Sequence, residues 1–416
     1  MWTHVVHRMT RASGGGAAPT LAAADGGSDG GSIEICSRAE LSRYRHWQRA
    51  FANRRKDHRY YEVVEDTIRQ GFDYRYFVIK DARGGVRAVQ PFFILDQDLL
   101  AGLHPKIRAA ADVVRGLWPR FMKMRALMVG CAAGEGHIDG TDGAAAGRNA
   151  GILAAGIRGR ARDLDVGLIV LKEFPAMYRE PLEPFLDAGF VRFPSLPMVR
   201  LNIDYGSFEE YMRKALSANM RRNLRKKFKA AARAAPIEMS LIDDVAPVVD
   251  DACRLYLQVF ERSKFRFEKL SKEYFCGLAR RMPDRTRFFA WRQRGRMVAF
   301  AMCIVHQDTI SFEYLGLDYR IALDVHLYHY VIRDLLNWAM ARDYKWVSST
   351  AVNYDPKYHL RFKLDPLDLY VRHTSGIVNV ALRLLLPLAE PTRYDKTLRR
   401  FPNYADLTAA PAGQRA

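Results

Sequence analysis

The chain has 416 residues, 49% of them hydrophobic and 12% aromatic, so it can bury the cores of about two to three compact domains. Its formal net charge of +19 favours an anionic partner, which can be nucleic acid, anionic lipid, an acidic carrier protein or a phosphorylated cofactor. The cysteines lack CxxC or CxH spacing, which argues against a zinc site or disulfide scaffold and predicts reduced thiols in a cytoplasmic protein. These cysteines are Cys36, Cys131, Cys253, Cys276 and Cys303. Because no uninterrupted apolar run approaches about 18 residues, no membrane-spanning helix is expected.

The first half of the chain predicts a leader and then alternating helices and strands. Residues 1–32 are rich in Gly, Ala and Ser, which predicts a disordered leader. A basic helix at 37–59 and a hairpin turning at Gly84-Gly85 follow, and then a helix at 104–123. The remaining elements are the strand entering the Gly-rich turn "GCAAGEG", the helix "AAAGRNAGILAAGIRGRARDL", the buried strand "VGLIVLKEF", a short helix and two strands. The turn lacks the GK[ST] ending of a nucleotide-binding loop, which favours a structural role.

The second half repeats this order. One long helix is predicted over 207–234, and two more helices are predicted over 243–263 and 271–282. A meander of three strands, a strongly periodic helix and the strand "YKWVSSTAV" follow. The repeat predicts an α+β protein of two like modules, each a mixed, mainly antiparallel sheet flanked by helices. We expect the modules at 33–203 and 204–373, and an apolar and basic C-terminal helix and tail at 374–416.

The order of elements resembles the tandem form of the GNAT-type N-acyltransferases, and above all the FemAB-like group, also called the BioF-like acetyltransferase domain group. The likeness covers roughly Glu62 to His373 and rests on three stretches, namely "SANMRRNLRKKFKAA", "RQRGRMVAFAMCIVHQDTISFEYLGLDY" and "LYHYVIRDLLNWAMARDYKWVSSTAVNYDPKYHLRFKLDPLDLYV". It implies transfer of an acyl group from an activated thioester, acyl-CoA or acyl carrier protein, to a small-molecule or amino-acid amine, with no metal. The family's Gly-rich phosphate loop is replaced here by "GLDYRIALDVHLYHY", which favours acyl carrier protein or aminoacyl-tRNA over coenzyme A as donor.

The resemblance also implies where the site lies in the second module. In such proteins the donor carbonyl sits in a gap between the fourth and fifth strands, and the next helix points its free N–H groups at the donor's phosphates. Asp324 is a plausible N-cap for that helix. Glu313 would be the general base, and Tyr354 would return a proton to the leaving group. The donor would be held by backbone groups at Leu315, Gly316, Leu317, Val325, His326 and Leu327.

The basic stretch 217–234 has an apolar ridge that docks it on a core. The ridge consists of Met212, Leu216, Met220, Leu224 and Phe228. Its cations are either a solvated face or a docking site for a polyanion, such as donor phosphates, tRNA, an acidic acyl carrier protein or lipid headgroups. The candidate contacts are Arg221, Arg222, Arg225 and Lys226.

Two further functions stay open beside thioester-dependent transfer. One is aminoacyl-tRNA-dependent transfer of the FemAB type, and the other is a catalytically silent module that binds a polyanion or a membrane. DNA is not an expected partner. In the C-terminal segment, Ile377, Val378, Leu382, Leu385 and Leu386 form an apolar face that we expect to pack on the folded body, with attachment to an anionic membrane as the alternative. Location is predicted to be cytoplasmic, with peripheral membrane contact open.

Overall fold

Two mixed sheets of seven strands each organise the chain. The computed structural model describes residues 30–98, 112–113, 115–116, 123–232, 235–263, 267–386 and 390–409. The predicted leader and the predicted helix at 104–123 therefore lie mostly outside the described residues. The strands are β1 (Ser32–Cys36), β2 (Asp73–Lys80), β3 (Val86–Asp98), β4 (Lys123–Val129), β5 (Leu168–Pro175), β6 (Val191–Pro194), β7 (Met198–Asn202), β8 (Ile237–Ile242), β9 (Thr286–Gln293), β10 (Arg296–His306), β11 (Thr309–Leu317), β12 (Trp346–Ser349), β13 (Lys363–Asp365) and β14 (Leu367–His373).

Helices flank both sheets, which confirms the predicted α+β class. The helices are α1 (His58–Thr67), α2 (Gly143–Asp163), α3 (Glu183–Asp187), α4 (Phe208–Ala215), α5 (Ala218–Ala232), α6 (Val249–Arg262), α7 (Lys272–Arg281), α8 (Leu327–Met340), α9 (Tyr354–His359) and α10 (Gly376–Leu385). Within the described ranges, no helix is both long and apolar enough to cross a membrane.

The two sheets exchange a strand. The first sheet has the order β1-β2-β3-β4-β5-β14-β6 and the second has β8-β9-β10-β11-β12-β7-β13. Neighbouring strands are antiparallel except for the parallel pairs β4–β5 and β11–β12. Strand β7, which comes from the first half, lies in the second sheet, and β14, which comes from the second half, lies in the first. The predicted boundary at 203/204 therefore does not coincide with the division between the sheets. A cut there would separate β14 from the first sheet and β7 from the second.

Three buried apolar clusters fill the molecule. One lies between the first sheet and α2, and one lies between the second sheet and helices α4, α5 and α8. The third is shared by both sheets and contains residues of α1, α6 and α7. The halves are therefore joined by a common core as well as by the exchanged strands.

The predicted helix over 207–234 is two helices. Ser207 caps the first, with its hydroxyl accepting from Glu210 N, and that helix ends before Leu216, which is extended at φ −97° and ψ 147°. The ridge is otherwise as predicted, because Met212, Leu216 and Leu224 are buried and the other two members are partly buried. The predicted basic helix at 37–59 is instead a series of short 3₁₀ turns, Arg38–Arg43 and Trp47–Arg49, leading into α1.

The predicted C-terminal apolar face packs only in part, and the side chain of Leu385 lies outside the described residues. Leu382 and Leu386 are partly buried against the shared core, but Ile377 is 86% exposed and Val378 is 42% exposed. Farther along, the tail turns back onto the second module, where Leu398, Phe401 and Leu407 are buried.

Candidate functional site

The parallel strands β11 and β12 separate part-way along the second sheet. They pair from Thr309 opposite Trp346 to Phe312 opposite Ser349, where β12 ends, while β11 continues to Leu317. Glu313 is the extra residue of a β-bulge, because Phe312 faces Cys303 of β10 and Tyr314 faces Met302. A bulge bends its strand, and bulges are frequent next to active sites.

The edge of β11 beyond the bulge is open on the β12 side. In the part of the chain that the structure describes, no backbone hydrogen bond joins 313–317 to 350–353. Leu315 and Leu317 pack toward α8, whereas a Cβ on Gly316 would lie 2.7 Å from Cβ of Leu255 and 2.7 Å from N of Tyr256. Glycine at 316 thus allows α6 to approach the strand closely. The result is a gap between two strands in which residues 315–317 have no pairing partner on β12.

The start of α8 differs from the prediction. The helix begins at Leu327, and its N-cap is His326 in the left-handed conformation at φ 49°, not Asp324. The N–H groups that we expected to be free already have partners within the chain. Val325 N donates to Ile321 O at 3.1 Å, His326 N to Leu323 O at 3.3 Å and Leu327 N to Ala322 O at 2.9 Å. The predicted phosphate contacts at 325–327 therefore do not fit this geometry.

Glu313 lies in a buried cluster of ion pairs between the modules. Its carboxylate is 3.0 Å from Lys56 Nζ and 3.3 Å from Arg55 Nε. Both cations also contact Glu135, at 2.9 Å and 2.8 Å. Although burial opposes ionisation, Arg55 and Lys56 hold the pKa of Glu135 well below its usual range. Because both cations already pair with the buried carboxylate of Glu313, this geometry favours a structural ion-pair cluster over the predicted role of Glu313 as general base.

Tyr354 is buried and its hydroxyl is already engaged. The hydroxyl donates to Pro197 O at 2.8 Å, and the ring packs edge-on against Phe401 of the tail. Burial raises the pKa of this phenol far above its usual range, although the N–H of Val352 also contacts the hydroxyl and opposes that rise. This arrangement suits a structural hydrogen bond better than the predicted proton donor to a leaving group.

The loop after β12 is held by a buried lysine. Lys357 Nζ donates to Thr350 O at 2.6 Å and to Val352 O at 2.9 Å. Burial lowers the pKa of Lys357 to about 7. Val352 and Asn353 have positive φ angles of 69° and 51°, which is rare for a β-branched residue and indicates a strained loop at the mouth of the gap.

A second carboxylate, Glu268, lies on the α6–α7 side of the second sheet and was missed in the sequence. It is half-buried, and its Oε1 accepts from the hydroxyl of Tyr314, the residue that follows the bulge, at 3.3 Å. Burial raises the pKa of Glu268 to about 7, and Lys172 opposes that rise. Lys172 itself is 2.6 Å from Glu173 and donates to Gly134 O at 3.0 Å. A carboxyl group that titrates near neutrality is a suitable general base.

The predicted polyanion face of α5 lies beside α8. Lys227 Nζ is 2.9 Å from His329 Nε2, and burial followed by the charge of Lys227 lowers the pKa of that imidazole to about 4. Lys227 is therefore the donor in this contact. Of the four predicted contacts, Arg221 is half-buried and donates to Leu216 O, while Arg225 pairs with the exposed Glu209 at 2.5 Å. Arg222, Lys226 and also Lys229 are exposed.

Residues 218–359 match the family model described as the acetyltransferase (GNAT) domain. This stretch is therefore similar to the acetyltransferase domains of the GNAT family. It contains the gap, Glu268, Lys357 and all of α5, so the candidate site of the second module lies in the matched residues.

Three similar solved structures match about three quarters of this chain at low sequence identity. L-PGS from Bacillus licheniformis is 12% identical with a TM-score of 0.46, over 78% of this chain and 95% of that chain. FemX is 9% identical with a TM-score of 0.45, over 76% and 91%. A tandem GNAT protein from the clavulanic acid biosynthesis pathway is 11% identical with a TM-score of 0.40, over 76% and 87%. No curated protein matches the sequence.

Proposed function

We propose that the second module transfers an acyl group from a thioester donor, acyl-CoA or acyl carrier protein, to the amine of a small-molecule acceptor. The observation that carries this proposal is the open gap between β11 and β12 in a GNAT-type domain. The acyl arm lies in the gap, where the free backbone groups of 315–317 bind its amides and the developing oxyanion. The acceptor approaches from the α6–α7 side, where Glu268 lies.

The chemistry is direct attack. Glu268, ionised, takes a proton from the acceptor's ammonium group, and the neutral amine forms a bond to the donor carbonyl carbon. The tetrahedral intermediate then collapses, the C–S bond breaks, and the leaving thiolate takes up the proton that the newly bonded nitrogen loses as the amide forms. Lys357 fixes the loop that borders the gap through its hydrogen bonds to Thr350 O and Val352 O.

The donor's phosphates would contact α5 rather than the N-terminus of α8, because the N–H groups of 325–327 are occupied. Arg222, Lys226 and Lys229 are exposed on a helix that touches α8 through Lys227 and His329. The same surface fits a nucleic acid backbone, so aminoacyl-tRNA is the second candidate donor.

Binding of each donor at two salt concentrations tests the proposal. Acetyl-CoA, long-chain acyl-CoA, acyl carrier protein and aminoacyl-tRNA are compared by thermal shift, since a true donor stabilises the fold by RT ln(1 + [L]/Kd). In the test variant, Gln replaces Arg222, Arg225, Lys226 and Lys229. Arg221 is kept because it supports the turn at Leu216. In the control variant, Gln replaces the exposed residues Arg43, Arg69, Arg254 and Lys272.

We expect a thioester donor to bind wild type and control alike, and to bind the test variant more weakly and with less salt dependence. If aminoacyl-tRNA is the donor, each lost phosphate contact should reduce the log–log salt slope by roughly 0.7 to 0.9. Failure of every donor to shift the melting temperature of the wild type would remove the proposal.

A further inference from the structure

Helix α10 exposes a row of large apolar side chains. Ile377 is 86% exposed, Val380 is 61% exposed and Leu384 is 74% exposed. Their spacing places them on one side of the helix, and Val378, 42% exposed, lies beside them. We refer to these four side chains as the α10 face. Scattered exposed apolar residues are ordinary, but a contiguous row on one helix marks an interaction surface.

The opposite side of α10 is anchored, so the exposure is built into the fold. The buried Asn379 donates from Nδ2 to Gly189 O at 3.1 Å and accepts from His373 N at 2.9 Å. Leu382 and Leu386 are partly buried against the shared core. With this side fixed, the helix cannot roll to hide the α10 face.

Arginines from three elements surround the anchor of α10. Arg158 and Arg162 of α2 both donate to Thr374 O, at 3.2 Å and 3.3 Å, just before the helix begins. Arg372 of β14 donates to Ala188 O. Burial, and then repulsion from Arg158, Arg383 and Arg162, lower the pKa of Arg372, so these three guanidinium groups lie close enough to repel that of Arg372. Such a cluster attracts anions.

An apolar row flanked by arginines is the pattern of a helix that lies in the interface of an anionic bilayer. We propose that the α10 face docks this protein on a membrane surface rich in anionic phospholipid, with the apolar row among the acyl chains and the arginines at the headgroups. A second copy of the chain is a poorer occupant, since a two-fold contact through this face would bring two like-charged arginine clusters into one interface.

Vesicle sedimentation tests the proposal with the full chain. The probes are vesicles of phosphatidylcholine alone and of equal parts phosphatidylcholine and phosphatidylglycerol. One variant replaces Ile377, Val380 and Leu384 with Ser, and a second replaces the exposed Arg162 and Arg383 with Gln. The apolar control places Ser at Leu241, Met177 and Leu323, which are 41%, 60% and 75% exposed elsewhere. The charge control places Gln at Arg43 and Arg69.

Wild type and both controls should bind the mixed vesicles far better than phosphatidylcholine alone. The Ser variant should lose that binding, and the Arg variant should lose roughly fivefold in affinity for each arginine removed, since a surface cation contributes about 1 kcal/mol. Circular dichroism melting confirms that each variant is folded, which is expected because the altered side chains are exposed.

Three outcomes would overturn the proposal. One is that wild type ignores phosphatidylglycerol. Another is that the charge control weakens binding as much as the α10 arginines do, which would mean adhesion through the general net charge of +19. The last is that sedimentation velocity without lipid shows a dimer that the Ser variant dissolves, which would assign the α10 face to self-association.

Discussion

The two modules share one topology, but the gap between their parallel strands is filled in the first module and open in the second. In the first module, β4 and β5 pair as far as Val129 opposite Leu171, and the chain then turns back to fill the space beyond. Gly136 N donates to Glu173 O at 3.0 Å and Gly130 N donates to Pro91 O at 3.2 Å. In the second module, the corresponding space between β11 and β12 has no such filling among the described residues. The gap is therefore filled by the chain in the first module, whereas in the second module the described residues leave the strands separated.

Glycine makes the closure of the first gap possible. Gly130 has φ 123°, a conformation that other residues rarely adopt, and a Cβ on Gly136 would lie 2.5 Å from Lys172 O. The helix that follows is capped by the carboxylate of Asp142, which accepts from Ala145 N at 2.8 Å. An anionic cap occupies the place where a donor's phosphates would bind. The glycine-rich turn, which resembles a phosphate loop, thus fills the gap of the first module.

The largest effect should come from Glu268→Gln, which tests whether the reaction takes place in the second module, whose gap is open. Loss of a general base should lower kcat about 10²- to 10⁴-fold. Because the pKa of Glu268 is about 7 and the base must be deprotonated, kcat/KM of the wild type should rise with pH through about 7. The pH profile of amide formation measures this, and Glu268→Asp should retain part of the activity.

The control for this prediction is Glu173→Gln, in β5 of the first module. Glu173 contributes to the raised pKa of Glu268, so its removal should keep kcat within a few-fold and move the acidic limb to lower pH. Wild-type activity in Glu268→Gln would place the base elsewhere.

The next effect is on stability, and it tests whether the two modules unfold together. Glu313→Gln leaves Arg55 and Lys56 with one buried carboxylate between them, and breaking such a cluster costs about 3 to 5 kcal/mol. Because the two modules share a buried core, urea unfolding should show one cooperative transition at a lower midpoint. Tryptophan fluorescence can follow both modules, since Trp47 lies in the first and Trp291 in the second. Turnover by the folded fraction should be retained.

Glu209→Gln is the matched control, since its pair with Arg225 is exposed and should contribute no more than about 1 kcal/mol. A large fall in kcat for Glu313→Gln at unchanged stability would restore Glu313 as the general base.

A third prediction concerns the loop at the mouth of the open gap. The pKa of Lys357 is about 7 in the folded chain, against about 10.4 for an unfolded lysine. Between these values the unfolded state binds more protons, so the stability of the wild type should rise as pH increases from 7 to 10. Lys357→Met removes this titration. Between pH 7 and pH 10 the free energy of unfolding of the wild type should therefore rise by up to a few kcal/mol relative to that of the variant. Denaturant midpoints at several pH values measure the difference.

Lys345→Met, at an exposed ion pair with Asp204, should give nearly parallel pH curves. If the curves of Lys357→Met were also parallel to the wild type, the lysine would be charged and solvated in the folded chain.

Much of the fold followed from local patterns. The repeated element order gave two α+β modules, and the hairpin, the meander and the helix with Val331, Leu335 and Leu336 on one face all form as periodicity predicts. The exchange of β7 and β14 could not be predicted, because each strand is compatible with either sheet and only tertiary pairing decides.

The site was harder to predict because its chemistry depends on burial and partners. The sequence marks Glu313 as a strand carboxylate but says nothing of Arg55 and Lys56, which are more than 250 positions away and bind it. Conversely, Glu268 sits in a stretch with no motif, and its raised pKa arises from burial after folding. The break between α4 and α5 was also missed, since the apolar ridge continues across Leu216 and conceals the change in backbone direction.

The smallest expected effect distinguishes a structural tyrosine from a catalytic one beside the open gap. Tyr354→Phe removes one hydrogen bond to Pro197 O and should cost about 1 kcal/mol of stability. Because the hydroxyl is buried and engaged, kcat should change by less than about threefold, whereas loss of a general acid would lower it by roughly 10- to 10³-fold. Steady-state kinetics with a saturating thioester donor measure the difference. Tyr358→Phe is the control, since that ring lies under Arg400 at 4.4 Å and keeps this contact without the hydroxyl. A large loss confined to Tyr354→Phe would mean that the tail carrying Phe401 moves away during turnover and frees the hydroxyl to act on the leaving group.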